Sequence, residues 1–115
     1  MKLTSAQALW QALSAHNGGD LQVAERIYRA ILKSQPSHPE ANHNLGVLIV
    51  SLDKSESALP LFKSAIDFNP TIEQFWVSNI DALIKANKFK NARQVLKKTK
   101  KVGFVGDKFD TLKTN

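Results

Sequence analysis

The sequence predicts an all-α protein built as a solenoid of paired helices. Three observations carry that expectation. Small residues recur at Ala24, Ala58 and Ala92, each 34 positions after the last. Bulky residues follow four positions later at Tyr28, Phe62 and Leu96, on the same period. Apolar residues inside each segment fall at helical spacing, and Pro36 and Pro70 punctuate at equal offsets. One amphipathic helix pair cannot bury its apolar stripe alone, so a constant period implies stacked pairs sharing a core.

Taken in order, the first helix spans about Ser5 to His16, with Ala8, Leu9, Ala12, Leu13 and Ala15 at helical spacing and Ser5 as its N-cap. Asn17-Gly18-Gly19 breaks it, and Asp20 is placed to accept from the free amides of the second helix. That helix carries Ala24, Ile27, Tyr28 and Ile31 as its stripe, and Pro36 and Pro39 close the segment. The third, about Glu40 to Leu52, aligns Ala41, Leu45, Leu48, Ile49 and Leu52. Gly46 costs a helix about 1 kcal/mol against alanine, so it calls for a packing reason. The fourth runs from about Ser55 to Phe68 with Pro60 inside, which predicts a late start near Glu56 rather than a bend. The fifth, about Ile72 to Ala86, brings Phe75, Trp76, Ile80 and Leu83. The sixth, about Phe89 to Val102, brings Ala92, Val95, Leu96, Thr99 and Val102. Gly103 to Gly106 interrupts, and Asp107 would cap a last short helix.

Period and residue types together resemble the tetratricopeptide repeat, whose 34-residue unit places Trp, Leu-Gly, an aromatic, Ala, an aromatic and Pro at set offsets. The central segment carries the resemblance best, at Leu45, Gly46, Ala58, Phe62, Ala65 and Pro70, with Asn42 in the Trp place and Ile49 in the Tyr place. The third keeps Trp76, Ala92 and Leu96 but has Asn79-Ile80 for Leu-Gly and Phe104 for Pro. The first keeps Ala24, Tyr28 and Pro36, with Ala8 in the Trp place and Gln11-Ala12 for Leu-Gly. The resemblance implies a right-handed α-solenoid of three helix-turn-helix units, at about 5–38, 39–72 and 73–106, and a short C-terminal capping helix at about 107–115, all one domain over residues 1–115.

Composition bounds the function. With no cysteine, the chain has neither a disulfide framework nor a thiolate zinc site, which suits a reducing, cytoplasmic setting. No apolar run approaches the roughly 20 residues of a membrane helix, so no membrane role is expected. The formal charge of +6 falls entirely after residue 70, where ten Lys/Arg meet four Asp/Glu. The run Lys97-Lys98-Thr99-Lys100-Lys101 reads first as a solvated helix face; a nucleic-acid surface is disfavoured by the lack of interleaved aromatics and the scarcity of arginine.

Chemistry is sparse. His38 and His43 straddle a proline turn, so they do not share a helix face, and no metal or cofactor is expected. The Gly103–Lys108 run lacks the spacing and the Lys-Ser/Thr ending of a phosphate loop. No acid, base or nucleophile is placed by any pattern, which argues against an enzyme.

The resemblance implies a concave face lined by the first helix of each pair. Carried onto this chain, that face comprises Leu9, Leu13, His16 and Asn17; then Glu40, His43, Asn44, Val47, Val50 and Ser51; then Gln74, Val77, Ser78, Asp81, Ile84 and Lys85. Leu9, Leu13, Val47, Val50, Val77 and Ile84 would make it unusually apolar, which suits a binding site for a peptide or helix, or a face covered by a second copy or by the C-terminal helix. Family members that clamp a C-terminal carboxylate use Lys, Asn and Arg at set positions; here only Asn44 matches, so such a clamp is not expected. The implied function is a protein-interaction scaffold with a protein or peptide partner. The phrase Ile27–Leu32 with Pro36–Ala41 also resembles bacterial arrays that precede glycosyltransferase, methyltransferase or sulfotransferase domains, and a chain ending at Thr114-Asn115 without a stop signal fits such an appendage. A basic nucleic-acid-associated protein is the third reading.

Overall fold

The computed structural model describes residues 3–104, which form six α-helices and, among the described residues, no strand. These are α1 (Ser5–Asn17), α2 (Leu21–Ser34), α3 (Pro39–Ser51), α4 (Ser55–Phe68), α5 (Glu73–Lys85) and α6 (Phe89–Lys101). Odd helices begin at Ser5, Pro39 and Glu73, even ones at Leu21, Ser55 and Phe89, so both sets advance by 34 residues. The expected capping helix at about 107–115 lies outside the described residues.

The turn inside each pair is built the same way three times. Gly19, Asp53 and Asn87, again 34 apart, take positive φ values of 85°, 61° and 61°. Glycine has no Cβ to clash there, and Asp and Asn tolerate the left-handed region better than other side chains. The following amide then reaches back five residues: Asp20 to the Ala15 carbonyl at 2.8 Å, Lys54 to Ile49 at 3.2 Å and Lys88 to Leu83 at 2.8 Å. This closes the exposed carbonyls of the helix end. Three-residue connections leave the paired helices side by side. Gly103, at φ 95°, ends α6 in the same manner, with the Phe104 amide on the Thr99 carbonyl at 2.9 Å.

Helix starts differ in detail from expectation. Thr4, not Ser5, caps α1: its Oγ1 accepts from the Gln7 amide at 3.1 Å, and the Gln7 side chain accepts from the Thr4 amide at 2.8 Å. A reciprocal pair satisfies two free donors, which a lone Ser5 would not. Asp20 caps α2 through the Val23 amide. His38 caps α3, its Nδ1 accepting from the Ala41 amide at 3.1 Å with Pro39 as first helical residue. In α4, Pro60 stands in the second turn, because the helix already begins at Ser55. Pro60 and Glu56 are both exposed, so water can take the Glu56 carbonyl bond that proline cannot supply.

Inside each pair, two equivalent positions shape how the helices meet. At equivalent positions stand Ala12 with Tyr28, Gly46 with Phe62, and Ile80 with Leu96, all buried. A Cβ on Gly46 would lie 2.7 Å from a Phe62 ring carbon, so the bare backbone is the seat of that ring. This is the packing reason that the sequence asked of Gly46.

The core is two clusters rather than one continuous body. The larger joins α1–α4, with Ala82 reaching in from α5; the smaller holds Trp76, Ile80, Leu83, Ala92 and Leu96. Leu59 packs against both and connects them. Two stripe residues fall outside: Leu52 is 40% and Val102 51% exposed, because each is the C-cap after the last full turn. The stack is elongated, 48 × 26 × 21 Å. α3 touches both α1 and α5, which brings the three first helices onto one surface.

Candidate functional site

A cavity of about 670 Å³ opens on that surface. From α1 it is lined by Leu13, His16 and Asn17, and from α3 by His43, Asn44, Val47, Val50 and Ser51. From α5 come Gln74, Ser78, Asp81 and Lys85. Asp53 in the α3–α4 turn and Phe62 beneath complete it. Leu13, His16, His43, Asn44, Val47, Val50, Gln74, Asp81 and Lys85 of the expected face are thus brought together.

Four expected residues lie elsewhere. Leu9 is buried in the larger core cluster. Val77 and Ile84 pack against the smaller one. Glu40 is exposed in the first turn of α3, outside the cavity. The expected apolar row is therefore broken: Leu9, Val77 and Ile84 lie outside the cavity, and Leu13 and Val50, though they line it, also pack against the larger core cluster. What remains apolar is Leu13, Val47 and Val50 around the Phe62 ring, set among polar side chains.

The centre of the cavity is one hydrogen-bonded chain. His43 Nδ1 lies 3.1 Å from Asn44 Oδ1, and its Nε2 lies 2.8 Å from Ser78 Oγ. A carboxamide oxygen can only accept, so Nδ1 carries the proton and Nε2 accepts from the Ser78 hydroxyl. Ser78 Oγ in turn accepts from Gln74 Nε2 at 3.2 Å. Every bond runs from Gln74 toward Asn44. Among the described residues the Asn44 amide nitrogen has no partner, so its N–H groups are offered to whatever occupies the cavity. The ring is held from both sides, stacked on Phe75 with centroids 4.8 Å apart and tilted against Phe62 at 5.6 Å. Burial pushes the His43 pKa below its usual range, and the bond to Asn44 opposes this in part. His16 is held differently, with Nδ1 3.2 Å from the Tyr28 hydroxyl and its own pKa lowered by burial. Asp81 and Lys85 neutralise each other at 3.0 Å. Among the described residues no three His, Cys, Asp or Glu side chains converge as metal ligands would.

Three residues escaped the sequence reading. Asp53 comes from a turn and Phe62 from a second helix, so a list of first-helix positions omits both. Trp10 is the third. It is 70% exposed, and a 34-residue shift places it with Asn44 and Ser78, at the α1 end of the same surface. The period alone could have found it.

No family model matches the chain, and no curated protein matches it in sequence. Solved structures do match. The tetratricopeptide domain of Sgt2 from Aspergillus fumigatus superposes with a TM-score of 0.81 over 94% of this chain and 73% of its own, at 16% identity. A MamA RS-1 double mutant gives 0.76 over 98% of this chain at 17% identity, and MamA AMB-1 gives 0.75 over 97% at 15%. The chain spans 58% and 61% of those two MamA chains. Likeness at such low identity carries the architecture and nothing about partners. Six helices on a 34-residue period, the Gly46–Phe62 seat and these superpositions together make the chain a tetratricopeptide-repeat fold.

Proposed function

We propose that the chain is a non-catalytic protein-interaction module that seats a peptide or short helix of another protein on its concave face. The observation that carries this reading is the one-way hydrogen-bond chain ending in free Asn44 donors, beside Leu13, Val47 and Val50. Peptide groups present carbonyls to such donors, while apolar side chains of the guest displace water from the valines. The cavity is of the size in which ligands are commonly held, about 300–1,000 Å³. Trp10, exposed at the α1 end, supplies a further aromatic anchor of the kind enriched at interaction surfaces.

The test compares capture of partner proteins by the native chain and by Val47→Asp/Val50→Asp, with circular dichroism confirming that the helices persist. Two carboxylates facing apolar guest side chains should weaken a captured partner about tenfold or more. Equal capture by both proteins would remove the concave face from consideration. Binding can be followed optically, because Trp10 is exposed while Trp76 is only 6% so, and a shift in emission would report the former.

A further inference from the structure

All of the chain's excess charge sits on one helix. α6 holds six Lys/Arg and no acid in 13 residues, which equals the formal charge of the whole chain, +6, so the remaining ten Lys/Arg and ten Asp/Glu cancel. Its inner stripe, Ala92, Leu96 and Thr99 with half-buried Val95, is spent on the core. Opposite that stripe, Lys90, Gln94, Lys97 and Lys101 are exposed at i, i+4, i+7 and i+11, a straight row about 16 Å long, flanked by Arg93 and Lys98. Four ion pairs use cations elsewhere: Arg29 with Glu25, Lys63 with Asp67, Lys85 with Asp81, and Lys88 with Glu56. Among the described residues Lys90, Arg93, Lys97, Lys98 and Lys101 have no acidic partner. Like charges at i, i+4, as in Arg93 with Lys97 and Lys97 with Lys101, repel one another, and a bound anion would relieve them.

We propose that this outward face of α6 is a second docking surface, separate from the concave one, for an acidic helical segment of a partner protein. A helix that repeats carboxylates at the same spacing meets every charge of the row, as charged flanks do between paired helices. Nucleic acid fits less well. The row has no aromatic platform for bases, and Phe89, though 42% exposed, lies at the helix start and off the row. Arg93 is the only arginine of α6, so bidentate reading of guanines has little to work with. A lipid surface fits least, since the apolar stripe that a membrane-lying helix must insert is already buried.

The probe is a fluorescein-labelled alanine/glutamine helix carrying glutamate at i, i+4, i+7 and i+11, followed by anisotropy at rising salt. The native chain should bind it, and binding should fade as salt screens the pairs. Lys90→Glu/Lys97→Glu/Lys101→Glu should lose about tenfold or more in affinity, and the milder triple change to glutamine should lose less. Circular dichroism shows whether α6 survives each change. Val47→Asp/Val50→Asp should bind the probe as the native chain does; a loss there would move the acidic segment to the concave face and overturn the proposal. So would undiminished binding by the glutamate variant, failure of the native chain to bind at the lowest salt, or tighter binding of duplex DNA of equal charge at the same salt. That last result would make the face a nucleic-acid surface.

Discussion

The second and third helix pairs solve one packing problem in opposite ways. In α3–α4 the first helix is stripped to Gly46 so that the Phe62 ring can lie on its backbone. In α5–α6 the equivalent positions are Ile80 and Leu96, a branched side chain in the place of the glycine and a smaller one in the place of the ring. The consequence is spatial: α3 and α4 approach closely along their length, and α5 and α6 do so less. What is kept between pairs is close contact and not a fixed volume: the helix spacing follows the side chains that meet there, because a core at crystal-like density tolerates neither a void nor an overlap. A repeat is thus defined by the pair of residues and not by either alone.

The strongest way to break this comparison is to mix the two solutions. Gly46→Ile drives side-chain carbons into a Phe62 ring that is 1% exposed and has nowhere to move, and should destabilise the fold by about 3 kcal/mol. Phe62→Leu alone opens a gap under an unchanged glycine and should cost about 1–3 kcal/mol. Together they recreate the third pair's chemistry in the second, so the double variant should lose less than the sum, with a coupling of roughly 1–2 kcal/mol from urea unfolding. Strict additivity would mean that Gly46 and Phe62 are independent and that the bare backbone is not the seat of the ring.

A second contrast lies at the entry to each pair. Trp76 Nε1 donates to the Pro70 carbonyl at 2.9 Å. At the equivalent place Asn42 Nδ2 donates to the Pro36 carbonyl at 3.1 Å, and also to the His38 carbonyl at 2.9 Å. A small amide and a large indole perform the same task, tying the turn before a first helix to that helix. Asn42→Ala should therefore cost about 1–2 kcal/mol although it removes little volume, since two carbonyls lose a donor at a site only 4% exposed. Trp76→Phe keeps most of the ring and should lose about 1 kcal/mol, to which its missing N–H contributes. If Asn42→Ala is neutral in thermal melts while Trp76→Phe is not, bulk rather than the shared bond fixes the position.

These residues mark how far sequence reasoning reaches. Helix boundaries were legible to within a residue or two, because Asn17-Gly18-Gly19 and the prolines Pro36, Pro39 and Pro70 break the apolar stripes and a fixed period repeats them. The role of Asn42 was not, since a departure from Trp looks like a loss until the carbonyl it meets is seen. The groove was legible as a surface but not as a chemistry. Leu9, His43 and Val77 share one position, yet the leucine and valine join the core while the histidine turns its nitrogens to Asn44 and Ser78. Periodicity fixes where a Cβ points; it does not say which polar atoms will find one another.

The gentlest test of the comparison uses that shared position. Only the second pair places a titratable ring there, so pH should act on it and spare its equivalents. Burial lowers the folded pKa of His43 below its unfolded value of about 6.5. The neutral ring is therefore favoured by folding, and the unfolded chain takes up a proton first as pH falls. Stability from this group is complete above about pH 6.5, declines as pH drops below it, and levels off once the folded ring also protonates. His16, lowered by burial as well, contributes with the same sign. His43→Leu, which copies Leu9, should leave a smaller drop in Tm between pH 7.5 and pH 5.5 than the native chain shows, His16 contributing to the remainder. Equal drops in both proteins would mean that His43 titrates as freely folded as unfolded, and the Gln74-to-Asn44 chain of donors would have to be abandoned.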